Sequence, residues 1–182
     1  MKLLYKRETL VFYEFTGTRP EFDDIAGQIP ADMSLEHHTC AAELSPAIHR
    51  ALFPYGYSLL LHRMKRHVAQ VVTLTLDDEL IAYGWLQTWD PFRHLYHDIS
   101  TTGTMIGPAW TSPEWRGKGI HSLMLSMRLH LAPPGERTFS FAENDNHASR
   151  KGLIRTGFSK IATMELVRVA YLLRYCKSVN VS

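Results

Sequence analysis

A polar segment with two glycines, residues 110–121, constrains the fold more than any other part of the sequence. The Thr-rich tract 98–110 before it is typical of a strand, and the apolar tract 120–131 after it is typical of a helix. The Pro-Pro-Gly run at 133–135 ends that helix because proline cannot continue it. The first N–H groups of a helix lack intrahelical partners, and glycines let the chain bend so that several of these groups face one point. The sequence therefore predicts an anion-binding turn between a strand and a helix.

The overall charge is too balanced for a protein that lives on nucleic acid or an anionic membrane. Twenty Lys and Arg stand against 18 Asp and Glu, a formal net charge of +2 with ten neutral His, so an anion must be held locally. Each charge-assisted hydrogen bond contributes roughly 1.5–3 kcal/mol, and the helix dipole adds roughly 0.3–1 kcal/mol. Taken alone, residues 116–119 also suit a solvated turn. The GxxxxGK[ST] loop and the GxGxxG motif with a downstream acid are both absent, which argues against P-loop and dinucleotide-binding folds.

Patterns elsewhere in the sequence predict an α/β fold with a mixed sheet, in a single domain that spans residues 1–182. The clearest element is an antiparallel hairpin over 68–88, with Asp77, Asp78 and Glu79 in its turn. The other predicted elements are a strand or hairpin over 3–15, a helical tract over 35–53 in which a helix opens at Ser45-Pro46, a helix or strand over 57–67, a strand over 138–143, a short helix after Asn146 that stops at Gly157, and two strands over 158–175. Two cysteines without CxxC spacing favour the cytoplasm, and no apolar run is long enough to span a membrane.

Three features together resemble the GNAT superfamily of acyl-CoA-dependent N-acetyltransferases. Arg116 and Gly119 match the family's Q/R-x-x-G-x-G/A loop, with His121 where the family prefers Gly or Ala. The second feature is an asparagine followed by a small residue three positions later and by a terminal Gly-Phe pair, here Asn146, Ser149, Gly157 and Phe158. The third is the order strand, loop, helix, strand, helix, Gly-Phe and strand over residues 98–169.

The resemblance implies a mostly antiparallel central sheet, flanked by helices, whose two central strands splay apart around the pantetheine arm of acetyl-CoA. It implies that loop amides hold the cosubstrate's diphosphate. We expect no metal to take part. The cofactor-binding residues that the resemblance implies are Ala109, Trp110, Thr111, Arg116, Gly117, Lys118, Gly119, Ile120, His121, Asn146 and Ser149. Two interpretations of His121 stay open: a protonated imidazole that contacts the diphosphate, or a side chain that points outward along the helix.

The general acid of many family members is absent from this sequence. They carry a tyrosine seven residues after the asparagine, and Leu153 stands there instead. A thiolate can still leave unaided, because its thiol has a pKa near 8.5. The attacking amine must be neutral, and Glu143 is the preferred base, with His94, His97 and Asp98 as alternatives. A solvated carboxylate is an equal interpretation of Glu143. The HxxHD cluster is more typical of a polar loop than of a metal site.

Aromatic residues before the central strands suggest where an acceptor binds. Trp89, Phe92 and His94 are candidate substrate-binding residues, because loop aromatics can stack on a sugar ring or an acyl chain, whereas Trp85 and Trp110 are expected in the core. We expect direct acetyl transfer to the primary amine of a small molecule, such as an amino sugar, in a ternary complex. The alternatives are a CoA-binding regulatory protein without catalysis and, last, an RNA-binding module. No nucleic acid or membrane partner is expected, and this kind of fold is compatible with a homodimer.

Overall fold

The computed structural model describes residues 5–52, 58–169 and 173–181. The chain divides into two compact units: unit 1 comprises residues 1–18, 89–103 and 137–182, and unit 2 comprises residues 19–88 and 104–136. In chain order the elements are β1 (Tyr5–Phe15), α1 (Phe22–Ala26), β2 (Met33–His38), α2 (Pro46–Leu52), α3 (Ser58–Lys65), β3 (Ala69–Leu76), β4 (Glu79–Thr88), β5 (Thr104–Thr111), α4 (Ile120–Leu131), β6 (Thr138–Glu143), α5 (His147–Arg155), β7 (Phe158–Val169) and β8 (Leu173–Val181). Strands and helices occur in both units, which confirms the predicted α/β class.

Unit 1 is built around its first strand. β1 pairs antiparallel with β6 on one side and with β7 on the other, so that Val11 lies opposite both Ala142 and Thr163. β8 pairs antiparallel with the outer side of β7. Segment 89–103 belongs to the same unit and packs aromatic rings on these strands, with Tyr96 4.9 Å from Phe12 between ring centroids. The tract 3–15 therefore forms one strand over its described residues, not a hairpin.

Unit 2 has a sheet in the order β2-β3-β4-β5 over its described residues, with every neighbouring pair antiparallel. The hairpin of β3 and β4 confirms the clearest sequence prediction. Its turn places Asp77 and Asp78 at φ values of 48° and 63°, the left-handed conformation that tight hairpin turns require. Residues 58–65, for which the sequence favoured neither helix nor strand, form α3.

Alternation along these strands separates two apolar clusters. One contains Val72, Leu74 and Ala82 together with Ile120, Leu123 and Met124 of α4. The other contains Val71, Tyr83 and Trp85 together with Leu52 of α2 and Met64 of α3. Because successive side chains of a strand point to opposite faces, the two clusters lie on the two faces of the sheet. This packing fixes α4 against β3 and β4, and it thereby positions the turn that precedes α4.

The start of α2 also agrees with the sequence. Pro46 is its first residue, and the Ser45 hydroxyl accepts a hydrogen bond from the main-chain N–H of Ile48 at 3.2 Å. Proline at the first helical position and serine before it are favourable because both suit N–H groups that lack helical partners. Pro54 and Gly56, residue types that favour the end of this helix, lie outside the described residues.

Two predicted boundaries are wrong. Residues 35–38 were expected in a helix but belong to β2, where Leu35 pairs with Leu74 and the edge of β3 supplies main-chain partners. His38, within the tract expected to be helical, is buried there beside the Thr73 hydroxyl at 2.9 Å, and burial lowers its pKa. Residues 98–103 were expected in a strand but form turns, in which the Ser100 hydroxyl donates to the carbonyl of Thr102 at 2.8 Å.

Candidate functional site

The turn between β5 and α4 is anchored at its start by hydrogen bonds within unit 2. The main-chain N–H of Ser112 donates to the carbonyl of Ile81 on β4 at 2.8 Å, and the Arg116 Nε donates to the carbonyl of Thr111 at 3.1 Å. A short 3-10 turn over Pro113–Trp115 lies between these two anchors. The chain therefore enters α4 along a defined path rather than as a free loop.

Two glycines give the turn its shape. Gly117 and Gly119 have φ values of 78° and 85°, in the left-handed region where a side chain is unfavourable. A Cβ built on either residue would meet no atom within 4 Å. Residues 116–119 are exposed, whereas Ile120 is buried and begins α4. The main chain is thus bare on the side that a ligand would approach.

The first N–H groups of α4 are available for such a ligand. The first return bond of the helix runs from the N–H of Leu123 to the carbonyl of Gly119 at 3.1 Å. In the described part of the chain, no group accepts a hydrogen bond from the main-chain N–H groups of residues 117–122. Several donors at the N-terminus of a 12-residue helix, together with the helix dipole, form a favourable environment for an anion. This geometry agrees with the anion-binding turn that the sequence predicts.

The charged side chains of the turn are mainly basic. Arg116 and Lys118 are exposed, and the Lys118 ammonium lies 4.2 Å from the centroid of the Trp115 ring. Glu114 is the one acid among residues 110–121, and its carboxylate accepts a hydrogen bond from the Ser112 hydroxyl. That bond is the main reason why the pKa of Glu114 lies below its usual value. Both cations are exposed beside the turn, with Arg116 bonded through its Nε to the Thr111 carbonyl and Lys118 over the Trp115 ring.

His121 fits neither interpretation that the sequence left open. Its Nε2 atom is buried and has no hydrogen-bond partner among the described residues, so the ring points inward rather than outward along the helix. Burial, and then the positive charge of Arg128, lower its pKa to about 4. The imidazole is consequently neutral at pH 7 and cannot contact a diphosphate as a cation. His121 can therefore contribute to cofactor binding only through its main-chain N–H.

The end of β5 carries the residues that the resemblance assigns to the pantetheine. Ala109 is exposed and pairs with Gly84, and Thr111 pairs with Ala82. Trp110 is half-buried and stacks on Tyr83 with 5.8 Å between ring centroids. Trp110 and the fully buried Trp85 therefore pack in unit 2, as expected.

Asn146 and Ser149 are joined by a hydrogen bond at the start of α5 in unit 1. The Asn146 Oδ1 accepts a hydrogen bond from the main-chain N–H of Ser149 at 3.0 Å. This is a side-chain N-cap, the usual way to satisfy a helix start. Leu153, which stands at the position of the family's tyrosine, is buried at 3% exposure and offers no proton.

Glu143 ends β6 beside a small acidic cleft of unit 1. The cleft has a volume of about 270 Å³ and is lined by Arg7, Glu8, Thr9, Glu143, Asn144 and Asp145. Two of these lining residues are joined by a hydrogen bond, in which the main-chain N–H of Asn144 donates to the carbonyl of Thr9 at 2.9 Å. The Glu143 carboxylate is exposed. The cleft therefore offers carboxylates to a cationic ligand.

The aromatic loop 89–103 differs from its prediction. Trp89 is buried at 2% exposure, its Nε1 donates to the carbonyl of Ser100 at 2.7 Å, and its ring lies 4.8 Å from that of Phe139. It is a core residue, so the prediction that it stacks on a substrate is wrong for this conformation. Phe92 is half-buried against Tyr96, whereas His94 is exposed.

Metal-ligating residues do not converge in this loop or elsewhere in the described chain. His97 pairs with Asp98 at 3.0 Å, and both side chains are largely exposed. Across residues 5–52, 58–169 and 173–181, no three His, Cys, Asp or Glu side chains are arranged to hold a metal ion. Over the same residues, every helix is too short or too polar to cross a bilayer.

Sequence reasoning missed two groups of residues. A basic face of α5 lines an open cleft of about 640 Å³ with His147, Arg150, Lys151, Ile154 and Arg155. Spacings of three and four residues could have revealed this face, because such residues are neighbours on a helix. The other group is Arg128 with Gly84, which no local pattern connects.

The sequence matches no protein-family model and no curated protein, but its fold is shared with solved structures. A GNAT-family protein from Novosphingobium aromaticivorans has a TM-score of 0.58 at 15% identity, covering 97% of this chain and 68% of that one. A GNAT-family acetyltransferase from Colwellia psychrerythraea has a TM-score of 0.58 at 17% identity, covering 91% of this chain and 56% of that one. This chain has the GNAT fold.

The third similar structure is a fungal GCN5-related glucosamine N-acetyltransferase region within a multi-domain GH3 β-N-acetylglucosaminidase. Its TM-score is 0.57 at 15% identity, and the match covers 91% of this chain but only 21% of that one. The chain also spans little more than half of the Colwellia protein, at 56%. These similarities establish the GNAT fold that the loop and the Asn-to-Gly-Phe segment suggested. They leave the activity and its substrate to be argued from the site.

Proposed function

We propose that this protein is an acetyl-CoA-dependent N-acetyltransferase that acts on the primary amine of a small molecule. The observation that carries the proposal is the start of α4, where the N–H groups of residues 117–122 have no acceptor among the described residues. The exposed glycines allow close approach of a ligand to these donors. The GNAT fold supports acetyl transfer as the chemistry that uses such a turn.

In this proposal the turn holds the diphosphate of CoA. Main-chain donors give several charge-assisted hydrogen bonds, and Arg116 and Lys118 add two exposed positive charges. The pantetheine arm runs along the main chain of residues 109–111, where a strand N–H stabilises the oxyanion that forms on the thioester carbonyl. Binding therefore relies mainly on backbone atoms, which explains how a protein of net charge +2 can retain a highly anionic cosubstrate.

The chemical step is direct attack of the amine on the thioester. The neutral amine nitrogen bonds to the carbonyl carbon, the C–S bond breaks, and the proton that the nitrogen then loses passes through water to the departing CoA thiolate. Because an alkyl ammonium has a pKa near 10.4, the amine must first lose a proton. We assign that proton to the Glu143 carboxylate. Holding amine and thioester together supplies much of the rate, since an encounter in solution is replaced by a positioned pair.

The acidic cleft supports a cationic acceptor. Glu8, Glu143 and Asp145 line this cleft of about 270 Å³ together with the single cation Arg7, and its size admits a small amine. One protein of similar fold is a glucosamine N-acetyltransferase region, so amino sugars belong among the acceptors to be tested. Phe92 and His94 remain candidates for contact with the uncharged part of the acceptor.

The proposal is tested by calorimetric titration with CoA, followed by thiol release from acetyl-CoA with a panel of amino sugars, polyamines and other small amines. We expect saturable CoA binding at one site and thiol release that depends on one class of amine, with the acetylated product identified by mass spectrometry. A protein that does not bind CoA at all contradicts the proposal. The amine that gives the highest kcat/KM identifies the acceptor class.

A second candidate function, a CoA-binding regulatory protein without catalysis, is favoured by one observation. Leu153 is buried where many GNAT enzymes place a tyrosine, so no proton donor for the thiolate comes from that position. This candidate predicts the same CoA titration but no thiol release above the uncatalysed rate with any amine. The two functions therefore differ in the second measurement only.

A further inference from the structure

Arg128 is a fully buried cation without a carboxylate partner in the part of the chain that the structure describes. Its side chain is 1% exposed, and its Nε donates to the carbonyl of Met124, one turn earlier in α4, at 2.8 Å. Among the described residues no acid forms an ion pair with it. Arginine is rarely buried completely unless it is paired, because removing a charge from water is costly. Such a residue calls for a reason other than stability.

Gly84 provides the space for this guanidinium. A Cβ built on Gly84 would lie 2.5 Å from the Nε and 2.6 Å from the Cζ of Arg128. Those distances are too short for any side chain, so the guanidinium lies against the main chain of β4. Gly84 pairs with Ala109 of β5. Ala109 lies two residues before Thr111, where β5 ends and the turn follows. The cation therefore lies against the strand that is paired with the entrance to the turn.

The charge also lies toward the N-terminal end of α4. Helical side chains lean toward the helix N-terminus, and the bond from the Arg128 Nε to the carbonyl of Met124 is consistent with that direction. The charge is close enough to His121 to lower the pKa of that imidazole, although burial is the larger cause. Burial lowers the pKa of Arg128 itself to about 9, so the guanidinium is still charged at pH 7. The positive charge thus acts on His121, which belongs to the first turn of α4, where the N–H groups have no acceptor among the described residues.

We propose that Arg128 is a buried electrostatic determinant of diphosphate binding, whose unneutralised charge stabilises an anion on the α4 turn without touching it. The inference rests on the proposed function, because it takes the anion to be the diphosphate of CoA. Charges inside a protein interact more strongly than charges in water and are screened less by salt. The bound anion supplies the counter-charge that the protein lacks. Arg128 therefore destabilises the free protein and strengthens the complex.

The test compares Arg128→Met with Arg66→Met, which removes the same chemical group from an exposed site of the same unit. For Arg128→Met we expect about tenfold weaker CoA binding, the order expected of one charge acting through several ångströms of protein. The free variant should melt at or above the temperature of the wild type. Arg66→Met should bind CoA within about twofold of the wild type. Inorganic pyrophosphate, used as a competitor, should lose affinity for Arg128→Met by the same factor as CoA.

The combination of a higher melting temperature with weaker binding separates this role from a structural one, in which both stability and affinity would fall. CoA affinity equal to that of Arg66→Met overturns the inference and leaves the proposed function intact, whereas a wild-type protein that binds no CoA overturns both. A loss of CoA affinity without a loss for pyrophosphate also overturns the inference. Arg128→Gln, which keeps a donor for Met124, is the second variant. If neither variant folds, Arg128 is a structural residue and the inference is wrong.

Discussion

Two helices of this chain follow a strand and a turn, and their first turns are satisfied in opposite ways. α5 begins after Asn146, whose side chain accepts the N–H of Ser149 at 3.0 Å. α4 begins after Gly119, which has no side chain and adopts a left-handed φ of 85°. The residue before a helix therefore decides whether its first donors are used within the protein or remain for a ligand. In this chain the asparagine closes one helix start and the glycine leaves the other open.

The largest effect is expected when a carboxylate is placed at the open helix start. Gly119→Asp puts a negative charge among donors that would otherwise hold phosphate, so CoA affinity should fall by more than about 100-fold. Isothermal titration measures this loss. Gly135→Asp is the matched control, because Gly135 has a φ of 77° and equally open surroundings after the other end of α4. Equal CoA affinity of the two variants would contradict the assignment of the turn.

The second prediction concerns Glu143, which ends β6 shortly before the closed helix start. We assign this residue to proton transfer rather than to phosphate binding. Glu143→Gln should lower kcat by about 100-fold, the usual contribution of a general base, and leave the CoA dissociation constant unchanged. Steady-state kinetics and titration separate these effects. Glu79→Gln, at an exposed strand end of unit 2, is the control. A kcat equal to that of the control removes Glu143 from the mechanism.

The third prediction compares His121, in the first turn of α4, with His147, in the first turn of α5. The folded pKa of His121 is about 4, below the ordinary value of 6.5, so the unfolded chain binds the proton first as the pH falls. The stability that neutral His121 contributes is complete above about pH 6.5 and is lost as the pH falls toward 4. The shift sets an upper limit of about 3 kcal/mol, and we expect about 2 kcal/mol because the ring is partly exposed.

Denaturant unfolding at pH 7 and pH 4.5 measures this effect. His121→Gln should lose less stability on acidification than the wild type. His147→Gln, in the first turn of α5 where the side chain is exposed, is the control and should follow the wild type. Identical acid sensitivity of the wild type and His121→Gln would show that the imidazole of His121 is not held neutral by burial.

The smallest effect is expected from opening the closed helix start. Asn146→Ala removes the acceptor for the N–H of Ser149 and should lower the free energy of unfolding by about 1 kcal/mol. Ser149→Ala keeps this main-chain bond and serves as the stability control. Urea unfolding of both variants provides the comparison. Equal stabilities would mean that the cap contributes nothing and that the two helix starts differ less than their geometry indicates.

Local patterns predicted the elements that depend on local chemistry. α4 spans residues 120–131 and β6 spans 138–143, as the sequence indicated, because apolar spacing and the Pro-Pro-Gly run mark their ends. The open turn also follows from local chemistry, since it needs only two glycines before a helix. These features require no knowledge of distant residues.

The wrong predictions concern residues whose structure depends on partners that are distant in sequence. Residues 35–38 form a strand because β3 offers an edge to pair with. Trp89 is buried because Phe139, 50 residues later, packs against its ring. Arg128 fits only because Gly84 lacks a side chain. Nothing near these residues in sequence indicates such neighbours, so single-sequence reasoning placed the glycine turn before α4 better than the groups around it.

The central position of β1 in the sheet of unit 1 affects how the chain must assemble. Val11 has its two strand partners at Ala142 and Thr163, so both edges of β1 await segments that the ribosome makes much later. Domains generally form as units during synthesis, and contacts distant in sequence form slowly. The sheet of unit 1 can therefore be completed only after all the residues of unit 2 have been made. Until then, both edges of β1 are unpaired strand edges, and such edges favour aggregation.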